Sequence, residues 1–236
     1  MRPRLCIPFR LKSTLREIQS CKEYLEYGRL NQKDIFSPTF RGTLYELQTK
    51  EYLEEQFKCY DMTRVGGAND NGIDIFGKWN LAYYWDQLSD EQKSIKYPKN
   101  SIIANSSQQS SFCNKGSNKS IDMRSQIDVL VQCKNYKRRL QAKTIRELSG
   151  IYHYHAKSTL DRMKTFFFLL SPFVLTEQGH RQFDASEIPL IHMRITPLET
   201  GEIEGLQGDS KEPARIYINR KARRLLNGLE TKILED

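Results

Sequence analysis

The chain has 236 residues, 38% of them hydrophobic, enough for one core of ordinary size and too few for two full domains once polar tails and loops are set aside. Its 37 Lys and Arg against 29 Asp and Glu leave a net charge of +8, which favours a polyanionic partner and serves solubility equally well. The five cysteines (Cys6, Cys21, Cys59, Cys113, Cys133) form no CxxC pair and are odd in number, which argues against a disulfide framework or a zinc module, and the longest apolar run, 166–170, is far short of the roughly 18 residues of a membrane-spanning helix.

The first 16 residues carry Arg2, Arg4, Arg10, Lys12 and Arg16, with no acid before Glu17, interleaved with Leu5, Ile7, Phe9 and Leu11. Such a mixture reads as a mitochondrial presequence, and residues 1–35 are expected to be that leader. A basic arm that touches nucleic acid is the competing reading, because Pro3 and Pro8 interrupt the helix a presequence needs.

A helix is predicted over 42–58, where Tyr45, Thr49, Tyr52, Leu53, Gln56 and Phe57 form one stripe at helical spacing. Glu46 lies at the edge of that stripe, so its carboxylate sits partly against the core and needs a cation or hydrogen-bond donors. A strand over 60–65 leads into the turn-forming run 66–72, and then Ile73-Asp74-Ile75-Phe76-Gly77 reads as a second strand with the two isoleucines on one side and Asp74 on the other. Residues 86–124 are dominated by Ser, Asn, Gln and Lys and are expected to be a loop or disordered insertion.

The strand 127–134 follows, with Val129, Val131 and Cys133 on one face and Leu130, Gln132 and Lys134 on the other. Beyond a basic turn, Ile145, Leu148, Ile151, Tyr152 and His155 mark an amphipathic helix over 143–157, and 164–171 reads as a buried central strand. A short helix over 176–185, strands over 188–195 and 215–219 and a basic helix from about 220 complete the reading, with no internal repeat. His153 and His155 stand two apart on a helix and cannot chelate together, so both read as structural. The Cys133 thiol reads as a small core group.

Taken together, Arg41-Gly42-Thr43-Leu44-Tyr45-Glu46, the run Gly66 to Asp74, Val131-Gln132-Cys133-Lys134 and Ile145-Arg146-Glu147-Leu148-Ser149-Gly150 resemble the Mrr-like branch of PD-(D/E)xK nucleases over roughly residues 40–185. The basic leader and polar insertion narrow the likeness to the fungal mitochondrial "required for respiratory growth" family. The resemblance implies an α/β fold with a restriction-endonuclease-like core (αβββαβ), a central mixed sheet flanked by helices. It divides the chain into a leader (1–35), that core (36–200, with the insertion 86–124) and a basic C-terminal strand–helix extension (201–236).

The same resemblance implies an endonuclease of the mitochondrial matrix that acts on DNA with Mg²⁺ or Mn²⁺ and dimerises to cut both strands. Phosphodiester hydrolysis needs a hard cation on oxygen ligands, which neutralises charge and acidifies a bound water. Asp74 supplies the anionic ligand, with the Gln132 side-chain oxygen and the Cys133 carbonyl completing the protein's share. Lys134 would orient or deprotonate the attacking water or hold a phosphate oxygen, and Glu46 would bind a metal-bound water or a second cation. Gln132 stands where the general pattern has a carboxylate, which removes one negative charge, although the Mrr-like branch commonly has Gln there. Lys137, Arg138, Arg139, Lys143 and Arg146 form a cluster suited to phosphates, and Tyr136 reads either as a base-stacking ring or as a surface tyrosine. Two other classes stay open: a catalytically inactive nucleic-acid-binding protein, and an assembly factor of mitochondrial gene expression whose basic tail from Arg215 to Arg224 contacts ribosomal RNA.

Overall fold

The computed structural model describes residues 18–65, 71–107, 120–198 and 215–235. The basic leader up to residue 17, the glycine turn at 66–70 and the most polar part of the insertion, 108–119, lie outside the described residues. Ser20 caps helix α1 (Cys21–Leu30) by accepting from the Glu23 amide, and Ser37 caps helix α2 (Pro38–Glu55), where Pro38 occupies a first-turn position that needs no amide donor. The cap explains why α2 starts before the predicted residue 42. Tyr45, Thr49, Tyr52 and Leu53 are buried as the stripe required, whereas Gln56 falls beyond the last turn and is exposed.

Six strands follow: β1 (Cys59–Arg64), β2 (Ile75–Trp79), β3 (Asp128–Cys133), β4 (Thr165–Ser171), β5 (Leu190–Arg194) and β6 (Arg215–Ile218). They stand side by side in chain order in one mixed sheet. β1, β2 and β3 are antiparallel neighbours, β3, β4 and β5 run parallel, and β6 closes the sheet antiparallel to β5. The parallel pairs require crossovers, which helices α5 (Ala142–His155), α6 (Thr159–Lys164) and α7 (Glu177–Asp184) provide. Between β2 and β3 stand α3 (Ala82–Asp86) and α4 (Asp90–Ser94), and α8 (Arg220–Leu225) and α9 (Glu230–Glu235) end the chain.

Every residue of β4 is buried, so it divides two cores. Phe166, Phe168 and Leu170 join Tyr45 and Leu53 of α2 on one face, while Phe167 and Leu169 meet Ile145, Leu148 and Tyr152 of α5 and Phe183 of α7 on the other. Each such side chain contributes about 1.5–3 kcal/mol by leaving water. The chain is therefore α/β, a six-stranded mixed sheet flanked by helices.

Four local readings differ from the sequence expectation. Residues 18–35 belong to the fold, because Cys21, Tyr24 and Leu25 of α1 pack on Phe40, Leu44 and Leu47, with the Tyr24 and Phe40 rings stacked at 4.4 Å. The insertion is anchored at both ends: Ile102, Ile103, Ile121 and Met123 are buried in the first core, and Ser106 bridges to Ile121. Residues 215–235 complete the sheet and the core through Ile218, Ala222, Leu225, Leu229 and Ile233 instead of forming an appendage. Finally, Ile73 and Ile75 do not share a face: Ile73 enters the second core and Ile75 the first. The strand begins at Ile75, and Asp74 lies in a bend that breaks the alternation.

Candidate functional site

The bend at Asp74 is held by main-chain bonds on both sides. The Val65 amide donates to the Asp74 carbonyl at 2.8 Å and the Asp74 amide donates to the Val131 carbonyl at 2.9 Å. With the backbone fixed between β1 and β3, the carboxylate turns to the end of β3, where Oδ2 accepts from the Cys133 amide at 2.6 Å. A short bond from an amide to an ionised oxygen is among the stronger hydrogen bonds. Asp74 and the last residue of β3, 59 positions apart in sequence, are thereby joined directly.

Gln132 is buried on the opposite face of β3 from Cys133, and its Nε2 donates to the Gly72 carbonyl at 3.1 Å. That contact uses the donor end of the amide and leaves Oε1 as its acceptor atom. Gly72 is itself constrained, since its φ is +80° and a Cβ there would come within 2.4 Å of Ile151 Cδ1 on α5. Glycine is the residue that adopts this angle without strain.

Glu46 reaches the same region from α2. Its Oε2 receives Arg64 Nη1 at 3.1 Å, with the side chains 19% and 11% exposed, so the pair is largely desolvated. Arg64, the last residue of β1, pairs in register with Ile75, the first residue of β2, so its main chain lies next to the Asp74 bend. Sequence reasoning missed Arg64. Its position at the end of a strand that abuts the glycine turn was the available signal, but its partner lies across a tertiary contact.

The Cys133 thiol faces the first core. Burial raises its pKa well above the ordinary value, the Asp74 charge raises it further, Thr49 opposes the shift through its hydroxyl, and Glu46 and Lys134 act in opposite senses. The thiol packs against the apolar first core, and the donors weighed at the end of β3 are oxygens, of the kind hard divalent cations take. Among the described residues, no three His, Cys, Asp or Glu side chains cluster at metal-ligand spacing. The oxygens expected from the sequence to hold a cation are those of the Asp74 carboxylate, the Gln132 amide and the Cys133 carbonyl, and Glu46 is held by Arg64.

Lys134 follows directly. Its amide donates to the Leu170 carbonyl at 2.8 Å, and its ammonium lies 5.9 Å from the centre of the Tyr136 ring, which is 44% exposed. Asn135 Nδ2 donates to the Arg41 carbonyl at 3.3 Å and ties this loop to the start of α2. Lys137, Arg138 and Arg139 are exposed in the loop between β3 and α5, and Lys143 and Arg146 are exposed on the first turns of α5. Lys143 makes an exposed ion pair with Glu147 at 3.8 Å, a weak interaction in water. His153 and His155 are both exposed at the C-terminal turn of α5.

The family model described as Required for respiratory growth protein 7 matches residues 37–226. Similar proteins include "Required for respiratory growth protein 7, mitochondrial" of Vanderwaltozyma polyspora, 30% identical over 212 residues that cover 83% of this chain and 79% of that protein. The protein of the same name in Eremothecium gossypii is 32% identical over 195 residues, covering 80% and 79%. The one in Candida glabrata is 28% identical over 199 residues, covering 82% and 78%. No solved structure matches the chain. Among the described residues, no helix is long and apolar enough to cross a membrane.

Proposed function

The chain belongs to the Required for respiratory growth protein 7 family, and from that premise we propose that it is a divalent-metal-dependent nuclease acting on mitochondrial DNA. Its relatives are named as mitochondrial proteins required for respiratory growth, and the chain is a mitochondrial protein of that family. The observation that supports the nuclease reading is the contact between the Asp74 carboxylate and the main-chain amide of Cys133, the residue between Gln132 and Lys134 in sequence.

In this reading Asp74, the Gln132 amide oxygen and the Cys133 carbonyl would hold Mg²⁺ or Mn²⁺. The cation, when bound, supplies charge neutralisation and acidifies a water ligand. Lys134 orients that water or holds a non-bridging phosphate oxygen. Glu46, presented by Arg64, accepts a hydrogen bond from a water at the edge of the site. Lys137, Arg138, Arg139, Lys143 and Arg146 take the DNA backbone, positioning it without reading bases. Cutting both strands would call for a second copy of the chain.

A second reading has its own support. Gln132 is neutral where a carboxylate is commonly found, and Glu46 is neutralised by Arg64. A protein that binds nucleic acid on the same basic surface without cleaving it fits those two features. Plasmid incubated with the purified protein and Mg²⁺ or Mn²⁺ separates the two. The nuclease reading requires nicking or linearisation that Asp74→Ala and Lys134→Ala abolish while binding changes little. Equal binding by wild type and both variants, with no cutting under either metal, leaves the binding module. In both cases the Lys137→Ala/Arg138→Ala/Arg139→Ala variant lowers the slope of log affinity against log salt by roughly 2–3.

A further inference from the structure

A polar cavity lies at the end of the parallel strands opposite the Asp74 bend. Asp74, Gln132 and Lys134 gather where β3 ends, whereas a pocket of about 150 Å³ opens just before β5 begins, between the loop that follows α7 and the first turn of α8. It is lined by Ser186, Arg220, Lys221 and Arg224, with Asp184 and Glu187 also on its wall. We propose that this pocket binds a phosphate group.

The pocket is preorganised by one buried side chain. Asn219, wholly buried, caps α8 by accepting from the Ala222 amide at 2.9 Å and accepts from the Leu190 amide at 3.1 Å. Its Nδ2 donates to the Phe183 carbonyl at 3.0 Å and to the Ile188 carbonyl at 2.9 Å. Four hydrogen bonds from one carboxamide thus pin the start of α8 to the loop opposite, so the cavity walls do not have to be assembled by a ligand.

Charge then selects the ligand. Arg220 and Arg224 are four residues apart and share a face of α8, and Lys221 lines the same cavity. Among the described residues, none of these three cations forms an ion pair, although two carboxylates line the same pocket. Asp184 is instead engaged by the Tyr217 hydroxyl at 2.7 Å. Arg223 is turned away, its Nε bonded to the Ile218 carbonyl at 3.0 Å.

The wall also holds an unsatisfied donor. Ser186 is 8% exposed, and its hydroxyl has no hydrogen-bond partner. Buried polar groups are nearly always paired, and rotation about the Ser186 side-chain bond is what would bring this hydroxyl onto an oxyanion in the cavity. The volume falls below the roughly 300 Å³ at which pockets for larger organic ligands begin, and it suits a single tetrahedral anion. Two guanidinium groups, an ammonium and a hydroxyl are the groups that recognise phosphate. The shared chemistry is the phosphate group itself, whether at the end of a nucleotide or strand or within a nucleic-acid backbone. The proposal does not depend on the nuclease reading, because no residue of the pocket belongs to the Asp74 site.

Equilibrium dialysis of the full chain against labelled inorganic phosphate at constant ionic strength tests it. Saturable binding is expected, weakened at least tenfold in Arg220→Ala/Arg224→Ala and several-fold in Ser186→Ala, and unchanged in Lys137→Ala/Arg138→Ala/Arg139→Ala. All variants retain Asn219, and their urea midpoints report folding. Oligonucleotides with and without a 5′-phosphate distinguish the sources: a preference for the phosphorylated strand that the double variant loses assigns a terminal phosphate, and equal affinity that the double variant weakens assigns the backbone. Absence of saturable phosphate binding to folded wild type, binding displaced equally by chloride, or identical binding by the double variant overturns the proposal.

Discussion

Arg64 gives the sharpest test of how the candidate site is built. Its guanidinium stands 3.1 Å from Glu46, and the two side chains are 11% and 19% exposed. At an effective dielectric of about 20, two unit charges at that separation attract by about 5 kcal/mol, and desolvation of both ions cancels much of this. A net coupling of about 2 kcal/mol remains. Arg64→Met leaves a largely desolvated carboxylate with its strongest cation gone and is expected to destabilise the fold by about 2–4 kcal/mol. Glu46→Gln costs less, because a neutral amide still accepts a hydrogen bond. The double variant should be more stable than the sum of the two changes implies. Urea unfolding of the four proteins at pH 7.5 measures the coupling, which should survive 0.5 M NaCl because the pair is shielded from solvent. A coupling energy within about 0.5 kcal/mol of zero refutes the reasoning that Arg64 is what holds the Glu46 carboxylate in place.

Further outcomes follow from single positions. His192 is almost wholly buried, with Nε2 2.9 Å from Ser171 Oγ, and burial lowers its pKa from 6.5 to about 4, with His180 and Arg194 adding to the shift. The unfolded chain binds a proton below pH 6.5 that the folded chain refuses, so stability is full above pH 6.5 and falls as pH drops towards 4, by about 3 kcal/mol at most. Unfolding free energies of wild type and His192→Gln compared at pH 7.5 and 4.5 should converge by that order, and parallel pH profiles would contradict the assignment. Gly72→Ala meets both a φ of +80° and the Ile151 methyl at 2.4 Å and should cost about 1–3 kcal/mol. Ile151→Ala made in the Gly72→Ala background should relieve the clash and leave the backbone strain, which thermal melts of the three variants resolve.

Much of the sheet was legible because its strands announce themselves by alternation or by unbroken apolarity. The seven buried residues of β4 follow from a nearly unbroken apolar run, and the opposed faces of Val131 and Gln132 from period-two patterning. Other features were hidden for identifiable reasons. Ile102, Ile103, Ile121 and Met123 sit singly or in pairs within a polar background, so composition outvoted them, although each is buried. The helix α1 was absorbed into a leader defined by its arginines, while its apolar side chains Tyr24 and Leu25 were waiting for Phe40 and Leu44. At the site, Asp74 and Gln132 could be named from sequence, but the bend that breaks the alternation between Ile73 and Ile75 could not. It arises from hydrogen bonds to Val65, just beyond the end of β1, and to Val131 of β3. The Arg64–Glu46 pair is invisible for the same reason, being a contact between a strand end and a helix 18 residues apart.

The central claim is that a hard cation sits on Asp74, Gln132 and the Cys133 carbonyl. Crystals of the protein grown with Mn²⁺ and measured at the manganese absorption edge test it most directly. The account predicts an anomalous peak about 2.1–2.3 Å from an Asp74 carboxylate oxygen and the Cys133 carbonyl, lost in Asp74→Ala. A peak elsewhere, or none at Asp74 under saturating metal, contradicts it.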